Sequence, residues 1–140
     1  MIVDASVWVA SFLPDEKHHQ EASLFLRRLV ESGIRVALPT LALAEIGGAI
    51  ARHSGDEHPA PKIIAFMRTQ SWVELAAIDD VLGNAAAQTA IRQRLRGADV
   101  VYAALAAARR QPLITLDREM LERTKGVVVS ATPAAWLKQQ

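Results

Sequence analysis

Hydrophobic and polar positions follow two alternating patterns along this chain. Short, mainly apolar runs typical of buried strands are separated by segments with helical spacing. The clearest helical segment covers residues 15–32, where apolar side chains recur at i, i+3, i+4, i+7 and i+8 from Ala22 to Val30. Strand-like runs are found at residues 1–3, 34–38, 73–78, 112–116 and 127–129. Strands and helices are therefore expected to alternate.

The other segments between these strands are predicted to be helical. Pro14 ends the first helix, Thr40 and Asp79 are suitable N-cap residues, and Pro133 suits the first position of the last helix. Residues 53–61 are polar and rich in turn formers, which predicts an exposed loop. The additional helices are predicted at residues 6–13, 41–52, 62–70, 80–95, 98–110, 118–124 and 134–138.

This alternation predicts an α/β fold. Right-handed crossovers between successive strands produce a mostly parallel central sheet with helices on both faces, a three-layer α/β/α sandwich. A length of 140 residues favours one domain spanning residues 1–140 with a core of its own.

Composition narrows the class of protein. Hydrophobic residues make up 51% of the chain, yet no apolar run is long enough to span a bilayer and no basic leader precedes Asp4. The absence of cysteine excludes disulfides and thiolate-bound metals. We expect a cytoplasmic protein without a membrane partner.

Three aspartates occupy positions with two interpretations. Asp4 and Asp117 each follow an apolar run and precede a helix, and the carboxyl ends of parallel strands are where such folds bind ligands. Asp99 opens an apolar helix, where a carboxylate also stabilises the helix dipole. Helix capping explains each aspartate about as well as a functional site does.

Glu45 is the most informative acid. It is the only ionisable residue between Leu41 and Ile50, in a helix that is apolar nearly all round. A buried carboxylate must be paired, neutralised or bound to a metal. The alternative is a narrow solvated stripe on which Glu45 faces a surface arginine.

Carboxylates that converge without cations repel one another and raise their own pKa values. Mg²⁺ or Mn²⁺ with oxygen ligands resolves this repulsion, and such a site can activate water for phosphodiester hydrolysis. If four of the fifteen acids gather in one pocket, eleven remain against sixteen Lys and Arg. That excess suits a polyanionic substrate, although an ordinary mixed surface explains it equally well.

The order of these motifs resembles the PIN domain, and within it the VapC toxins of toxin–antitoxin pairs. The resemblance is carried by Asp4-Ala5-Ser6, Glu45, the segment Gly97-Ala98-Asp99-Val100-Val101-Tyr102 and Leu113-Ile114-Thr115-Leu116-Asp117. It implies a ribonuclease that depends on Mg²⁺ or Mn²⁺ and cuts single-stranded or loop RNA to 5′-phosphate and 3′-hydroxyl ends. It further implies a homodimer that binds a small cognate antitoxin protein.

The resemblance also implies roles for individual residues. Asp4 and Asp99 match the principal metal ligands, while Glu45 and Asp117 complete the catalytic and metal-binding set. Ser6 matches a hydroxyl that orders the water shell of the metal, and Thr115 a hydroxyl near the fourth acid.

Three arginines near these acids could line an RNA path. Arg92 and Arg96 are spaced to share one helix face, and Arg118 directly follows Asp117. A solvated basic face is the competing interpretation.

Other functions fit the sequence less closely. A PIN nuclease could process RNA or cut DNA without acting as a toxin. A receiver-like signalling module would need a phospho-acceptor and a late lysine, for which Asp79, Asp80 and Lys125 are poorly spaced candidates. A non-catalytic RNA-binding scaffold would not need the complete acid set.

Overall fold

The computed structural model describes the whole chain, Met1–Gln140. Five strands form one parallel sheet with the order β3-β2-β1-β4-β5. The strands are β1 (Ile2–Val3), β2 (Val36–Pro39), β3 (Val73–Ala76), β4 (Leu113–Ile114) and β5 (Ser130–Ala131). The helices are α1 (Ala5–Phe12), α2 (His19–Glu31), α3 (Ala42–Ser54), α4 (Pro59–Thr69), α5 (Asp80–Gln93), α6 (Asp99–Arg109), α7 (Arg118–Arg123) and α8 (Pro133–Leu137). The predicted parallel α/β fold is confirmed.

The core is one continuous cluster that joins the sheet to the helices packed on it. β1, β2 and β4 are buried, as expected for the central strands of a parallel sheet. Trp8, Phe25 and Tyr102 are fully buried, and each comes from a different helix. None of the eight helices combines the length and apolar character that crossing a bilayer requires.

Several helix ends differ from the sequence prediction. The helix predicted over residues 15–32 begins only at His19, because the backbone before it forms turns in which Glu16 N donates to Leu13 O and His19 N to Glu16 O, both at 3.0 Å. The Asp15 carboxylate in this segment accepts hydrogen bonds from His53 Nε2 at 3.0 and 3.1 Å. The predicted loop over residues 53–61 is shorter. α3 continues to Ser54, Gly55 ends it with a positive φ of 66°, and α4 already begins at Pro59.

Two capping predictions have opposite outcomes. Asp79 caps α5 as predicted, since its Oδ1 accepts a hydrogen bond from Leu82 N at 2.9 Å. The predicted side-chain cap at Thr40 is wrong. Thr40 N donates to Ala76 O at 2.9 Å and extends the sheet, while the Thr40 side chain makes no capping bond.

The last strand lies later in the chain than predicted. The amides of Val127 and Val128 both donate to Thr124 O, at 3.0 and 3.1 Å, and so form a turn. Pairing with β4 therefore starts at Val129 O, and β5 covers Ser130–Ala131 instead of residues 127–129.

Candidate metal-dependent nuclease site

The strand order reverses between β1 and β4, the two neighbouring strands at the centre of the sheet. β1 continues along the sheet to β2 and β3, whereas β4 continues to β5 on the other side. In open parallel sheets the ligand crevice lies outside the carboxyl ends of the strands at such a reversal. Asp4 follows β1 there, and Thr115 to Asp117 follow β4.

Asp4 is a buried carboxylate, with only 5% of its surface exposed. It caps α1, and its Oδ2 accepts hydrogen bonds from the Ser6 amide at 3.4 Å, the Ser6 hydroxyl, and the Thr115 hydroxyl at 2.8 Å. These bonds leave Oδ1 without a hydrogen-bond donor. Burial raises the pKa of Asp4 above its ordinary value, although the bonds from Ser6 and Thr115 oppose that effect.

Ser6 and Thr115 connect the turns that follow β1 and β4. Ser6 Oγ accepts from Leu116 N at 3.1 Å, and Thr115 Oγ1 accepts from Asp117 N at 3.0 Å. Each hydroxyl thus donates to Asp4 and accepts from a backbone amide of the turn that follows β4. This pairing fixes the orientation of Asp4 relative to the second turn.

Glu45 is half-buried on α3 and bound to α6. Tyr102 Oη donates to Glu45 Oε2 at 2.7 Å, and Tyr102 itself is fully buried. Burial raises the pKa of Glu45, the bond from Tyr102 lowers it, and repulsion from Asp4 and Asp99 raises it further. The solvated-stripe alternative, with Glu45 facing a surface arginine, finds no support because its partner is a buried tyrosine.

Asp99 stands at the first residue of α6, where the cap residue is Ala98. Its side chain accepts no hydrogen bond within the protein. Burial, then repulsion from Asp117, Asp4 and Glu119, raises the pKa of Asp99 from 3.8 to about 6. Charge repulsion of this kind shows that these carboxylates face a common region.

Asp117 is exposed and caps α7, with Oδ1 accepting from Met120 N at 2.8 Å. Asp4 and Asp117 therefore each cap a helix and also lie beside the candidate site, so the two interpretations are compatible. The fold brings Asp4, Glu45, Asp99 and Asp117 to one edge of the sheet, from four separate parts of the chain.

The oxygen atoms of these four acids are of the kind that a hard divalent cation prefers, but the acids are too far apart to bind one together. All donors are oxygens, which Mg²⁺ and Mn²⁺ prefer. Burial raises the pKa values of Asp4, Glu45 and Asp99, and repulsion between carboxylates raises those of Glu45 and Asp99 further. However, no three His, Asp or Glu side chains of the protein are grouped closely enough to hold a metal. The side chains would have to move together to bind one.

The arginines are arranged differently from the sequence prediction. α5 ends at Gln93, Arg94 adopts a left-handed conformation with a φ of 54°, and Arg96 lies beyond the helix. Arg92 and Arg96 therefore do not share a helix face, and that prediction is wrong. Arg92, Arg96 and Arg118 are nevertheless exposed, and none forms an ion pair with an acid.

Sequence reasoning assigned no role to two residues of this region. Tyr102 lies three residues after Asp99, hence on the same face of α6, and it is the only tyrosine of the chain. That spacing could have indicated its place in the site. Glu119 also raises the pKa of Asp99, but an acid in the first turn of α7 carries no distinguishing signal.

The residues proposed for a receiver-like module do not form a site. Asp79 caps a helix after the edge strand β3, and Lys125 Nζ pairs with Glu122 Oε2 at 2.6 Å on the surface.

Comparison with known proteins supports the resemblance seen in the sequence. The family model described as PIN domain matches residues 1–127. Among curated protein sequences, none matches the chain significantly.

Solved structures share the fold at low sequence identity. The chain is similar to VapC20 of Mycobacterium tuberculosis, a sarcin-ricin loop cleaving toxin, with a TM-score of 0.72, 22% identity, and coverage of 91% of this chain and 95% of that one. It is also similar to a chain of VapBC2 from Rickettsia felis, solved bound to a DNA fragment from their promoter, with a TM-score of 0.71, 14% identity, and coverage of 94% and 96%. A toxin–antitoxin complex from Klebsiella pneumoniae matches with a TM-score of 0.66, 15% identity, and coverage of 94% and 96%. With the family model matching most of its length, the chain belongs to the PIN domain family.

Proposed function

We propose that this protein is a metal-dependent endoribonuclease that hydrolyses RNA phosphodiester bonds, and that it is the toxin of a toxin–antitoxin pair. The observation that carries this proposal is the setting of Asp4. A buried carboxylate, oriented by two hydroxyls and with one oxygen free of donors, stands where the strand order reverses and next to further acids. Such a carboxylate is built to hold a cation.

Asp4 and Asp99 would be the principal ligands of Mg²⁺ or Mn²⁺, and Glu45 and Asp117 would complete the set. The bound ion would supply charge neutralisation at the phosphate oxygens and a water of lowered pKa. Hydrogen bonds from Ser6 and Thr115 orient Asp4, and a hydrogen bond from Tyr102 of α6 orients Glu45 of α3. Glu45 and Asp117, both less buried than Asp4, would hold and orient water beside the scissile phosphate.

RNA would approach over the exposed arginines near the acids. Arg92, Arg96 and Arg118 form no ion pairs, so their guanidinium groups remain available for phosphates. RNA affinity should then fall with increasing salt, because binding releases counterions from the phosphates. Loss of affinity in the double variant Arg92→Ala/Arg118→Ala, with the Arg68→Ala variant as control, would support this path.

The partners follow from the relatives named above. Toxins with this fold are found in complexes with antitoxins, and we infer an antitoxin partner and a cytoplasmic homodimer for this chain. Phe66, Val81 and Ile91 expose much of their apolar surface and are available for such contacts. Light scattering of the isolated chain should give twice the monomer mass of 15.2 kDa. We also infer that residues 1–140 form one domain, since one core joins all the layers.

Cleavage of a structured RNA by wild type and by Asp4→Asn tests the proposed activity. Wild type should cut the RNA with Mg²⁺ or Mn²⁺ and stop in EDTA, and Asp4→Asn should lose at least about a hundredfold in rate, the order expected when a metal ligand is replaced. Asparagine caps helices as well as aspartate does, so the fold should survive the change.

Asp79→Asn is the matched control. Asp79 caps a helix in the same way but lies after an edge strand, away from the acids. Equal cleavage by wild type and Asp4→Asn would refute the assignment. Metal-dependent cleavage of DNA but not RNA would support a nuclease activity and refute RNA as its substrate.

A further inference from the structure

A cavity of about 370 Å³ opens next to the candidate site, beside Ser6 and Glu45. Its apolar lining is made by Ala5, Val9, Ala10, Ala49 and Leu116. Ligand pockets span about 300–1,000 Å³, so this one suits a single flat ring system. Two polar residues, Glu16 and His18, reach it from the connection between α1 and α2.

This connection is held in place on both sides. Asp15 accepts hydrogen bonds from His53 of α3, and His19 Nδ1 donates to the carbonyl oxygen of Ala10 in α1 at 2.9 Å. Leu13, at the start of the connection, is buried in the core. Glu16 and His18 are therefore kept at the edge of the cavity.

The two polar side chains differ in the hydrogen bonds that they already make. Glu16 makes no hydrogen bond or ion pair through its carboxylate, which can only accept. His18 Nδ1 lies 3.2 Å from Glu21 Oε2 and must be the donor, since a carboxylate has no proton to give. His18 Nε2 makes no hydrogen bond within the protein. A ligand that pairs with the Glu16 carboxylate must offer N–H groups.

Building on the proposed ribonuclease function, we propose that this cavity receives the base of a nucleotide next to the cleaved phosphodiester and favours guanine. The Watson–Crick edge of guanine carries adjacent N1–H and N2–H donors, which match a carboxylate. Adenine and cytosine place one amino group beside an acceptor nitrogen, and uracil has a single N–H between two carbonyls. The apolar lining would contact the face of the base.

The test is cleavage of an RNA pool with random nucleotides around the cut, followed by sequencing of the products. Wild type should enrich guanine at one fixed position by roughly tenfold, the discrimination expected of a good paired contact. Glu16→Gln keeps the size of the side chain but replaces one acceptor oxygen with a donor, and it should abolish the enrichment. His18→Ala should weaken it.

Glu31→Gln is the matched control, because Glu31 lies at the far end of α2 and pairs only with Arg28 on the surface. This variant should keep both the rate and the preference. Enrichment of another base, or unchanged guanine enrichment in both Glu16→Gln and His18→Ala, would overturn the inference while leaving the nuclease intact.

A second measurement does not depend on catalysis. Saturation-transfer NMR in EDTA should show 5′-GMP bound by wild type more strongly than 5′-UMP, and the difference should vanish in Glu16→Gln. If no RNA is ever cut, the proposed function is refuted, but this measurement still tests whether the cavity binds guanine. Equal signals from both nucleotides would refute the base site.

Discussion

At Asp4 one carboxylate serves the fold and the candidate site together. Its Oδ2 takes the bonds that start α1 and join the two central turns, and its Oδ1 stays free of donors. Asp99 is the opposite case, because no protein donor compensates its partial burial. The two acids therefore respond differently to substitution and to pH.

Tyr102→Phe isolates the hydroxyl that orients Glu45. The variant keeps the buried ring, so its stability should fall only by about 1.5–3 kcal/mol, the contribution of one bond to a charged group. Cleavage should fall about 10- to 100-fold, as for other residues that position a metal ligand. Urea unfolding and initial cleavage rates measure the two effects. Ser54→Ala, which removes a hydroxyl bonded to Ile50 O in α3, should leave cleavage unchanged.

Asp99 predicts a pH dependence of stability in the metal-free protein. Between the ordinary pKa of 3.8 and about 6, the folded protein binds more protons at this group than the unfolded chain does. Its contribution to stability is thus full below about pH 4 and is lost as the pH rises through 6. In EDTA, Asp99→Asn should match wild type near pH 4 and be more stable at pH 7. Unfolding midpoints of both proteins at the two pH values measure this difference in stability. If the midpoints differ equally at pH 4 and pH 7, repulsion does not destabilise charged Asp99.

At the scale of elements, local pattern predicted the strands whose apolar runs are flanked by turn formers. It failed at several ends of elements, where particular hydrogen bonds decide the outcome. α2 starts late because the backbone before His19 forms turns, and the contact between Asp15 and His53 in this segment is one that no local spacing reveals. The position of β5 depends on the turn that the valine amides make with Thr124, although valines favour strands.

Helix caps allow folding and catalysis to be separated at Asp117. Asp117→Asn should retain the cap of α7 and most of the stability yet lose cleavage, because asparagine caps well but carries no charge. Asp79→Ala should do the reverse, losing about 1 kcal/mol with cleavage intact. Urea unfolding beside cleavage rates compares the two variants. Full activity of Asp117→Asn would leave Asp117 a capping residue only.

At the scale of the whole molecule, the alternation of elements predicted a parallel sheet but not the order of its strands. That order places β1 beside β4 and lets Thr115 reach Asp4, 111 residues away in sequence. The four acids could be chosen from their settings and from family resemblance. The hydrogen bond from Tyr102 to Glu45 could not be predicted, because it joins α3 to α6 across 57 residues, although the spacing of Tyr102 from Asp99 indicates that the two share a helix face.

If the whole molecule is a toxin, induced expression should arrest bacterial growth through its nuclease activity. Glu45→Gln should relieve the arrest, because the amide keeps an oxygen that can accept from Tyr102 but removes the charge that a cation requires. Colony counts after induction, with protein levels checked by immunoblot, measure the effect. Glu57→Gln, in the exposed loop before α4, is the matched control and should remain toxic. If both variants arrest growth alike, toxicity does not depend on the acid site. If cells that express active wild type continue to grow, an RNA-processing nuclease is favoured.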